Sequence, residues 1–175
     1  HPGIVGPSAS AEHSFASMTL AFIIALPLLG ALLPPLFIRW GRTACAWSAA
    51  AVAGASLALL LRLAPAVFAG ETLLIRLPWL QAVQLELSLR LDGLSLLFAL
   101  LILGIGLLVI LYARYYLSER DPMGRFYGLL LLFMAAMLGI VLSENLLLLF
   151  MFWELTSLSS FLLIGYWKHR ADARQ

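Results

Sequence analysis

The chain has 175 residues, of which 63% are hydrophobic and only 11% are charged, with a formal net charge of +2. A soluble domain carries about 25% charged residues, so this composition excludes an ordinary soluble protein and predicts an integral membrane protein. No basic tract with interleaved aromatic residues is present, and we expect no nucleic-acid partner. The single cysteine, Cys45, lies in an apolar segment, so the sequence predicts no disulfide, metal site or redox cofactor.

The amino-terminal segment differs in character from the rest of the chain. Residues 1–17 are polar and contain Gly, Pro and Ser, and the first methionine is Met18. No positively charged segment precedes the apolar stretch, as it would in a signal peptide. We therefore predict a disordered or non-native leader over residues 1–17.

Five apolar windows are long enough to cross a bilayer as helices. Each has roughly 17–22 residues, which spans about 30 Å of hydrocarbon at about 1.5 Å per residue. The windows are 19–38, 43–61, 93–112, 126–142 and 146–167. The predicted fold is all-α and membrane-integral: residues 18–62 hold transmembrane helices 1 and 2, and residues 93–167 hold helices 3 to 5. Residues 168–175 are a polar tail without a terminating element, so we expect a truncated chain, the amino-terminal part of a larger bundle.

The basic residues predict the orientation of these spans. With the amino terminus extracytoplasmic, eight Lys and Arg residues face the cytoplasm, and three face the other side. The cytoplasmic set is Arg39, Arg42, Arg114, Arg120, Arg125, Lys168, Arg170 and Arg174; the opposite set is Arg62, Arg76 and Arg90. Cytoplasmic loops carry an excess of Lys and Arg. We therefore predict a multi-pass protein of the bacterial plasma membrane, with its tail in the cytoplasm.

Residues 63–92 form the only long loop, on the predicted extracytoplasmic side. Residues 83–91 alternate strictly between apolar and polar side chains, which is typical of a half-buried strand. Residues 72–77 are its predicted hairpin partner, with the turn near residues 78–82. We expect this hairpin to pack on the helices or to contact a neighbouring subunit.

Glu154 is the only charged residue in the apolar run 146–167. Counting from Leu146 at about 1.5 Å per residue places it roughly 12 Å inside the membrane. A carboxyl group at such a depth is disfavoured by about 2.5–3.5 kcal/mol on insertion scales, and such groups usually belong to an ion or proton pathway. Glu154 is therefore the candidate translocation residue.

Other polar groups are candidates for accessory roles. Thr156, Ser157 and Ser160 fall on the same helical arc as Glu154, spanning roughly 160° with Trp153. They either serve a water chain or neighbouring helices, or merely bond their own backbone. Glu144, in the short loop 143–145, is either a solvated residue or an entry group for protons. His169, just past the last span, is either inert or a proton shuttle at the cytoplasmic mouth. Asp92 precedes the third span, where helix capping is the favoured interpretation.

Three stretches resemble one family of membrane proteins. They are Asp92-GLSLLFALLI, Tyr112-ARYYL and Arg125-FYGLLLLFMAAMLGIVLSENLLLLFMFWELTSLSSFLLIGYW, which ends at Trp167. They resemble the amino-terminal part of the antiporter-like membrane subunits shared by Mrp-type multisubunit sodium/proton antiporters and respiratory complex I. The WELTSLSSFLLIGYW stretch is more similar to the A subunit of the Mrp antiporter.

The resemblance implies a mechanism. In this family an essential glutamate on the fifth helix, matching Glu154, pairs with a lysine on the seventh helix, which lies beyond this sequence. It also implies partnership with other membrane subunits, and transport of protons and a monovalent cation such as Na⁺. The chain would then be part of a transporter rather than an enzyme, with no cofactor of its own.

Two alternatives remain open. A proton-pumping, large antiporter-like subunit of NADH:quinone oxidoreductase would carry the same motifs. A non-transporting scaffold, in which Glu154 is a satisfied buried acid, belongs to a different class of function.

Overall fold

The computed structural model describes residues 7–83, 85–116 and 122–172. Within these residues, six α-helices and one hairpin follow each other along the chain. The helices are α1 (Pro7–Gly30), α2 (Leu33–Phe37), α3 (Arg42–Phe68), α4 (Gly93–Tyr116), α5 (Met123–Leu142) and α6 (Leu146–Asp172); the strands β1 (Leu73–Leu80) and β2 (Leu85–Leu91) lie between α3 and α4. Short 3-10 turns follow α2 and β1.

The first predicted span is broken in the structure. Four of the described helices (α3, α4, α5 and α6) are long and apolar enough to cross a membrane; a fifth span exists if Ser14–Gly30 and Leu33–Trp40, which meet at a bend of 40°, count as one. The chemical reason lies in Pro34 and Pro35, which lack the N–H groups that would bond the carbonyls of Gly30 and Ala31. A sequence window measures hydropathy and not the continuity of a helix. The predicted first span therefore ran as one helix across the break between α1 and α2.

The amino-terminal leader is only partly described. Residues 1–6 lie outside the described residues, and α1 begins at Pro7, so residues 7–17 have helical backbone. Disorder or a non-native origin of this leader stays a prediction.

Helix α5 is the centre of the bundle. It packs against α1, α2, α3, α4 and α6. In its most apolar window 56% of the residues are buried, against 11% for α6. Helix α6 packs chiefly on α5, so it lies at the edge of the described chain.

Glycines let two neighbours approach α5 closely. A Cβ atom added at Gly128 would lie 2.8 Å from the carbonyl oxygen of Ala31, at the break between α1 and α2. A Cβ atom added at Gly139 would overlap the ring of Phe152 on α6. Both approaches are closer than van der Waals contact, so both positions require glycine for this packing.

The predicted hairpin is confirmed as a two-stranded antiparallel sheet in which Leu73 pairs with Leu91. The predicted alternation holds in part: Leu89 and Leu91 are buried and Arg90 is exposed, but Ser88, on the predicted polar face, is buried. Ser88 lies against the loop between α5 and α6, where its carbonyl accepts a hydrogen bond from the Glu144 backbone N–H. The first strand runs further than predicted, through Pro78 to Leu80, with a register irregularity between those two residues. The side of the membrane on which the hairpin lies stays a prediction.

The hairpin also contacts the loop between α5 and α6. Leu89 forms an antiparallel bridge with Ser143, and the Glu144 backbone N–H donates to the Ser88 carbonyl over 3.0 Å. The Ser143 hydroxyl in turn donates to the Gly139 carbonyl, at the end of α5. The start of α6 is thereby tied to the sheet.

Candidate functional site

Glu154 lies in the third turn of α6, and the structure fixes the start of that helix. The Asn145 side chain accepts a hydrogen bond of 3.0 Å from the Leu147 backbone N–H, which caps the first turn. With Leu146 as the first helical residue, Glu154 lies about 12 Å along the axis. The helix start predicted at Leu146 is confirmed, and the depth of the carboxyl group in a membrane stays a prediction.

The exposed face of α6 carries the carboxyl group. Leu148 and Ser159 are buried on the inner side of the helix, whereas Trp153, Glu154 and Ser157 are exposed. Among the described residues the Glu154 carboxylate has no hydrogen-bond or ion-pair partner. A carboxyl group this far along an apolar helix is costly against lipid, so this face is suited to contact with further polypeptide.

The hydroxyl groups near Glu154 bond their own helix. Thr156 donates to the Phe152 carbonyl over 2.9 Å, and Ser157 donates to the Trp153 carbonyl over 3.2 Å. The sequence left open whether these hydroxyls serve a water chain and neighbouring helices or bond their own backbone. The observed hydrogen bonds match the second interpretation. Each oxygen still has lone pairs to accept a further hydrogen bond. Ser160 is half-buried on the same arc.

The remaining accessory candidates do not cluster with Glu154. Glu144 is exposed in the loop and precedes Glu154 by ten residues. At the rise of an α-helix, ten residues correspond to about 15 Å. His169 belongs to the last turns of α6, where the side chains lie outside the described part of the structure. Their roles stay predictions.

An apolar cavity flanks α6 on the side of α1. Its volume is 640 Å³. Its lining comes from α1, the hairpin and α6: Ala21, Ile24, Ala25, Leu28, Pro78, Leu87, Leu89, Leu148, Met151, Phe152 and Leu155. None of these described lining residues is ionisable, although Met151 and Leu155 flank Glu154 in the helix. A space so apolar is suited to hydrocarbon and not to a hydrated proton path.

Asp92 caps α4, as the sequence favoured. Its carboxylate accepts a hydrogen bond of 2.8 Å from the Ser95 backbone N–H and lies 3.6 Å from the Arg90 guanidinium. The Ser95 hydrogen bond is the main cause that holds the pKa of Asp92 below its ordinary value of 3.8. Ser95 also donates from its hydroxyl to the Val141 carbonyl, near the end of α5. The cap therefore joins the hairpin, α4 and α5.

We expect the start of α4 to loosen on acidification. Because the pKa of Asp92 is lowered by folding, its contribution to stability is present at neutral pH and is lost as the pH falls through the folded-state pKa. The measurement is hydrogen-exchange protection of residues 93–97, corrected for intrinsic rates. Asp92→Asn keeps a capping oxygen that does not titrate, so protection of residues 93–97 in this variant should not depend on pH. Asp92→Ala removes the cap and should lower the stability of the start of α4 by about 1 kcal/mol at neutral pH. Identical pH profiles for the wild type and Asp92→Asn would contradict the assignment.

Sequence reasoning missed two polar contacts. Tyr127, fully buried on α5, donates to the Ile110 carbonyl of α4 over 2.9 Å. Ser159, fully buried on α6, donates to the Leu155 carbonyl over 2.7 Å. A tyrosine or serine in an apolar window indicates a polar contact. The sequence does not show whether the side chain is buried or which helix it contacts, because both depend on how the helices pack.

These features define a class: a multi-pass, helical membrane protein with a small hairpin and an acid inside its last described span. Two families of known proteins match parts of the chain. Residues 79–127 match the family described as NADH-ubiquinone oxidoreductase (complex I), chain 5 N-terminus. Residues 143–175, which include Glu154, match the family described as NADH:quinone oxidoreductase/Mrp antiporter, TM.

Individual relatives are similar over most of this chain. The probable K(+)/H(+) antiporter A/B subunit of Rhizobium meliloti (strain 1021) is 48% identical over 91% of the chain and 16% of the relative. The Na(+)/H(+) antiporter A1 subunit of Staphylococcus aureus is 45% identical over 86% of the chain and 19% of the relative. The chain thus spans less than a fifth of the length of these relatives.

Solved structures agree in fold. A chain of the Mrp complex from Dietzia sp. DQ12-45-1b matches with a TM-score of 0.71 and 38% identity, over 83% of this chain and 16% of that one. A chain of the membrane-bound sulfane sulfur reductase, an archaeal respiratory membrane complex, matches with a TM-score of 0.67 and 27% identity, over 82% of this chain and 22% of that one. The resemblance to the antiporter-like subunits shared by Mrp antiporters and complex I is therefore confirmed, and A-type subunits of Mrp antiporters are among the relatives.

Proposed function

We propose that this chain is part of a proton-translocating subunit of a multisubunit monovalent cation/proton antiporter, and that Glu154 is a proton-carrying residue of its membrane pathway. The observation that carries the proposal is a carboxyl group about 12 Å along an apolar helix, on a face that no other described element covers. This helix lies in the region that matches the family named for NADH:quinone oxidoreductase and the Mrp antiporter.

The chemistry follows from the environment. An isolated carboxyl group in a low-dielectric site favours its neutral form, and a nearby cation favours its ionised form. We propose that a lysine on a later helix of the full-length protein approaches and withdraws from Glu154, so that the carboxyl group takes up and releases a proton. Thr156, Ser157 and Ser160 have oxygens that can accept hydrogen bonds from water beside it. Glu144 is the proposed entry group for protons at the start of α6, and His169 is the proposed proton shuttle at its cytoplasmic end.

The same proposal includes the location and orientation of the protein in the membrane and the cation that it transports. The amino terminus and the hairpin lie on the extracytoplasmic side of the cell membrane, the α6 tail lies in the cytoplasm, and the exposed helix faces meet lipid and other membrane subunits. Relatives named for potassium and for sodium antiporters both occur, so the proposed cargo is a monovalent cation, with Na⁺ as the first to test.

Transport by the intact complex tests this function. The full-length protein is produced with its partner subunits in cells that lack their own antiporters, and everted vesicles are energised to form a pH gradient. We expect addition of Na⁺ or K⁺ to dissipate the gradient, and vesicles without this protein to show no response. No response to either cation from the assembled complex would contradict the proposal.

The complex I family match over residues 79–127 supports a second candidate, a proton-pumping subunit of NADH:quinone oxidoreductase. That function predicts NADH-dependent proton pumping that a quinone-site inhibitor stops, and no cation-dependent dissipation. A scaffold role predicts that neither activity responds to changes at Glu154.

A further inference from the structure

The first residues after α5 lie along the free edge of β2. Leu89 forms its antiparallel bridge with Ser143, whose backbone is extended, and the Glu144 backbone N–H donates to the Ser88 carbonyl over 3.0 Å. Because this hydrogen bond joins the residues next to the bridged pair, Leu89 and Ser143 are a non-hydrogen-bonded pair, and the Cα atoms of such pairs lie only about 4.5 Å apart. The loop thus acts as a short third strand, and the sheet sets the height at which α6 begins.

The end of α5 is held from the side of α4 as well. The last carbonyls of a helix have no partner within the helix. The Ser95 hydroxyl, at the start of α4, donates to one of them, the Val141 carbonyl, over 3.2 Å, while the Ser95 backbone N–H donates to Asp92. Leu142, the last residue of α5, is fully buried. The loop before α6 therefore has little freedom to move relative to the hairpin and α4.

A single aromatic ring fixes the rotation of α6. Phe152 lies so close to Gly139 of α5 that a Cβ atom at that glycine would overlap the ring. Glu154 follows Phe152 by two residues, or about 200° around the helix, so a ring that faces α5 directs the carboxyl group away from it. Glu154 is accordingly exposed. The height and the rotation of the carboxyl group are thus set by two separate contacts, the bridge to β2 and the ring at Gly139.

We propose that these two contacts form a static brace, in which Ser143 and Phe152 are positioning residues that hold Glu154 in one place throughout the transport cycle. The inference rests on the proposed function of Glu154 and adds that the cation paired with its carboxyl group does the moving, whereas α6 stays on the hairpin. Leu146 and Glu154 belong to one continuous helix, so a shift at the helix start reaches the carboxyl group. A misplacement of about 1 Å in a reacting group lowers rates by up to about 100-fold.

A reversible crosslink tests whether the brace is static. Leu89→Cys and Ser143→Cys are combined in the full-length protein, with Cys45→Ala to remove the native thiol, and the intact complex is oxidised in everted vesicles. The close approach of a non-hydrogen-bonded pair suits a disulfide, so we expect one to form, as identified by mass spectrometry of the linked peptides. Exchange after oxidation should equal or exceed exchange after reduction, because the crosslink locks only a contact that does not open. Crosslinked complexes that regain exchange only on reduction, or a pair that does not crosslink, would overturn the proposal.

An added methyl group at Gly139 tests whether the rotation of α6 matters. Gly139→Ala should lower exchange by about 10- to 100-fold and shift its pH profile, because a turned α6 places the carboxyl group in a different environment. Phe152→Leu in the same protein removes the overlapping ring and should restore part of the rate and the original pH profile. Gly104→Ala, whose methyl group meets no described atom within 4 Å, is the matched control and should change neither the rate nor the profile.

The outcomes separate the brace from the proposed function. If Gly139→Ala lowers the melting temperature of the assembled complex but leaves the rate and pH profile of exchange unchanged, the contact is merely structural and the brace is refuted. If Gly139→Ala does not assemble, Phe152→Leu alone opens the contact without an overlap and should shift the pH profile; an unshifted profile would refute the brace as well. Undiminished exchange by Glu154→Gln would instead refute the proposed function.

Discussion

Glu154→Gln should abolish cation-coupled proton exchange by the assembled complex, the largest functional effect that we expect. Glutamine keeps the size of the side chain and its capacity for hydrogen bonding, but it cannot bind and release a proton. Because Glu154 is exposed on α6 and contacts no polar partner among the described residues, its loss should not weaken packing within this chain. The measurement is dissipation of the pH gradient in everted vesicles, with the amount of assembled complex determined on a native gel.

Controls distinguish loss of the proton site from loss of the whole protein. Glu154→Asp keeps a titratable carboxyl group and should retain part of the exchange, with an altered pH profile. Glu144→Gln removes an exposed carboxyl group at the loop and, if Glu144 acts only as a proton-uptake group, should slow exchange without abolishing it. Undiminished exchange by Glu154→Gln in assembled complexes would refute the proposed role and favour the scaffold alternative.

Gly128→Ala should lower the stability of the protein more than Gly104→Ala or Gly106→Ala, two other glycine-to-alanine changes within the described helices. The added methyl group would lie 2.8 Å from the Ala31 carbonyl oxygen, a backbone atom that cannot rotate away. Relief requires movement of α5 away from the break between α1 and α2, at a cost of about 1–3 kcal/mol. The measurement is the apparent melting temperature of the detergent-purified complex.

Two matched substitutions calibrate this effect. Gly104→Ala on α4 adds a methyl group that meets no described atom within 4 Å, so it should be neutral or slightly stabilising. Gly106→Ala places its methyl group against Cε of Met134, whose flexible side chain is able to move, so an intermediate loss is expected. Equal melting temperatures for Gly128→Ala and Gly104→Ala would show that α5 does not depend on this close approach.

Several features were predictable because their signals are local. The length and apolar content of each window predicted α3 to α6, and strict alternation predicted the hairpin, since both patterns depend on consecutive residues alone. The cap at Asp92 was predictable for the same reason, because its bonding partner Ser95 lies three residues further on. The break in the first span has a local cause as well, in Pro34 and Pro35, but a hydropathy window does not register it.

The sequence by itself determined that this is a membrane protein, where its helices lie along the chain, and how far along α6 Glu154 lies. Only the tertiary structure decided that α5 is central, that α6 lies at the edge with Glu154 facing outward, and that the hairpin bonds to the loop before α6. The physical reason is that lipid is as apolar as a protein core. In a membrane helix hydrophobic periodicity therefore does not tell a face that packs on protein from a face that meets lipid, and only the three-dimensional neighbours do.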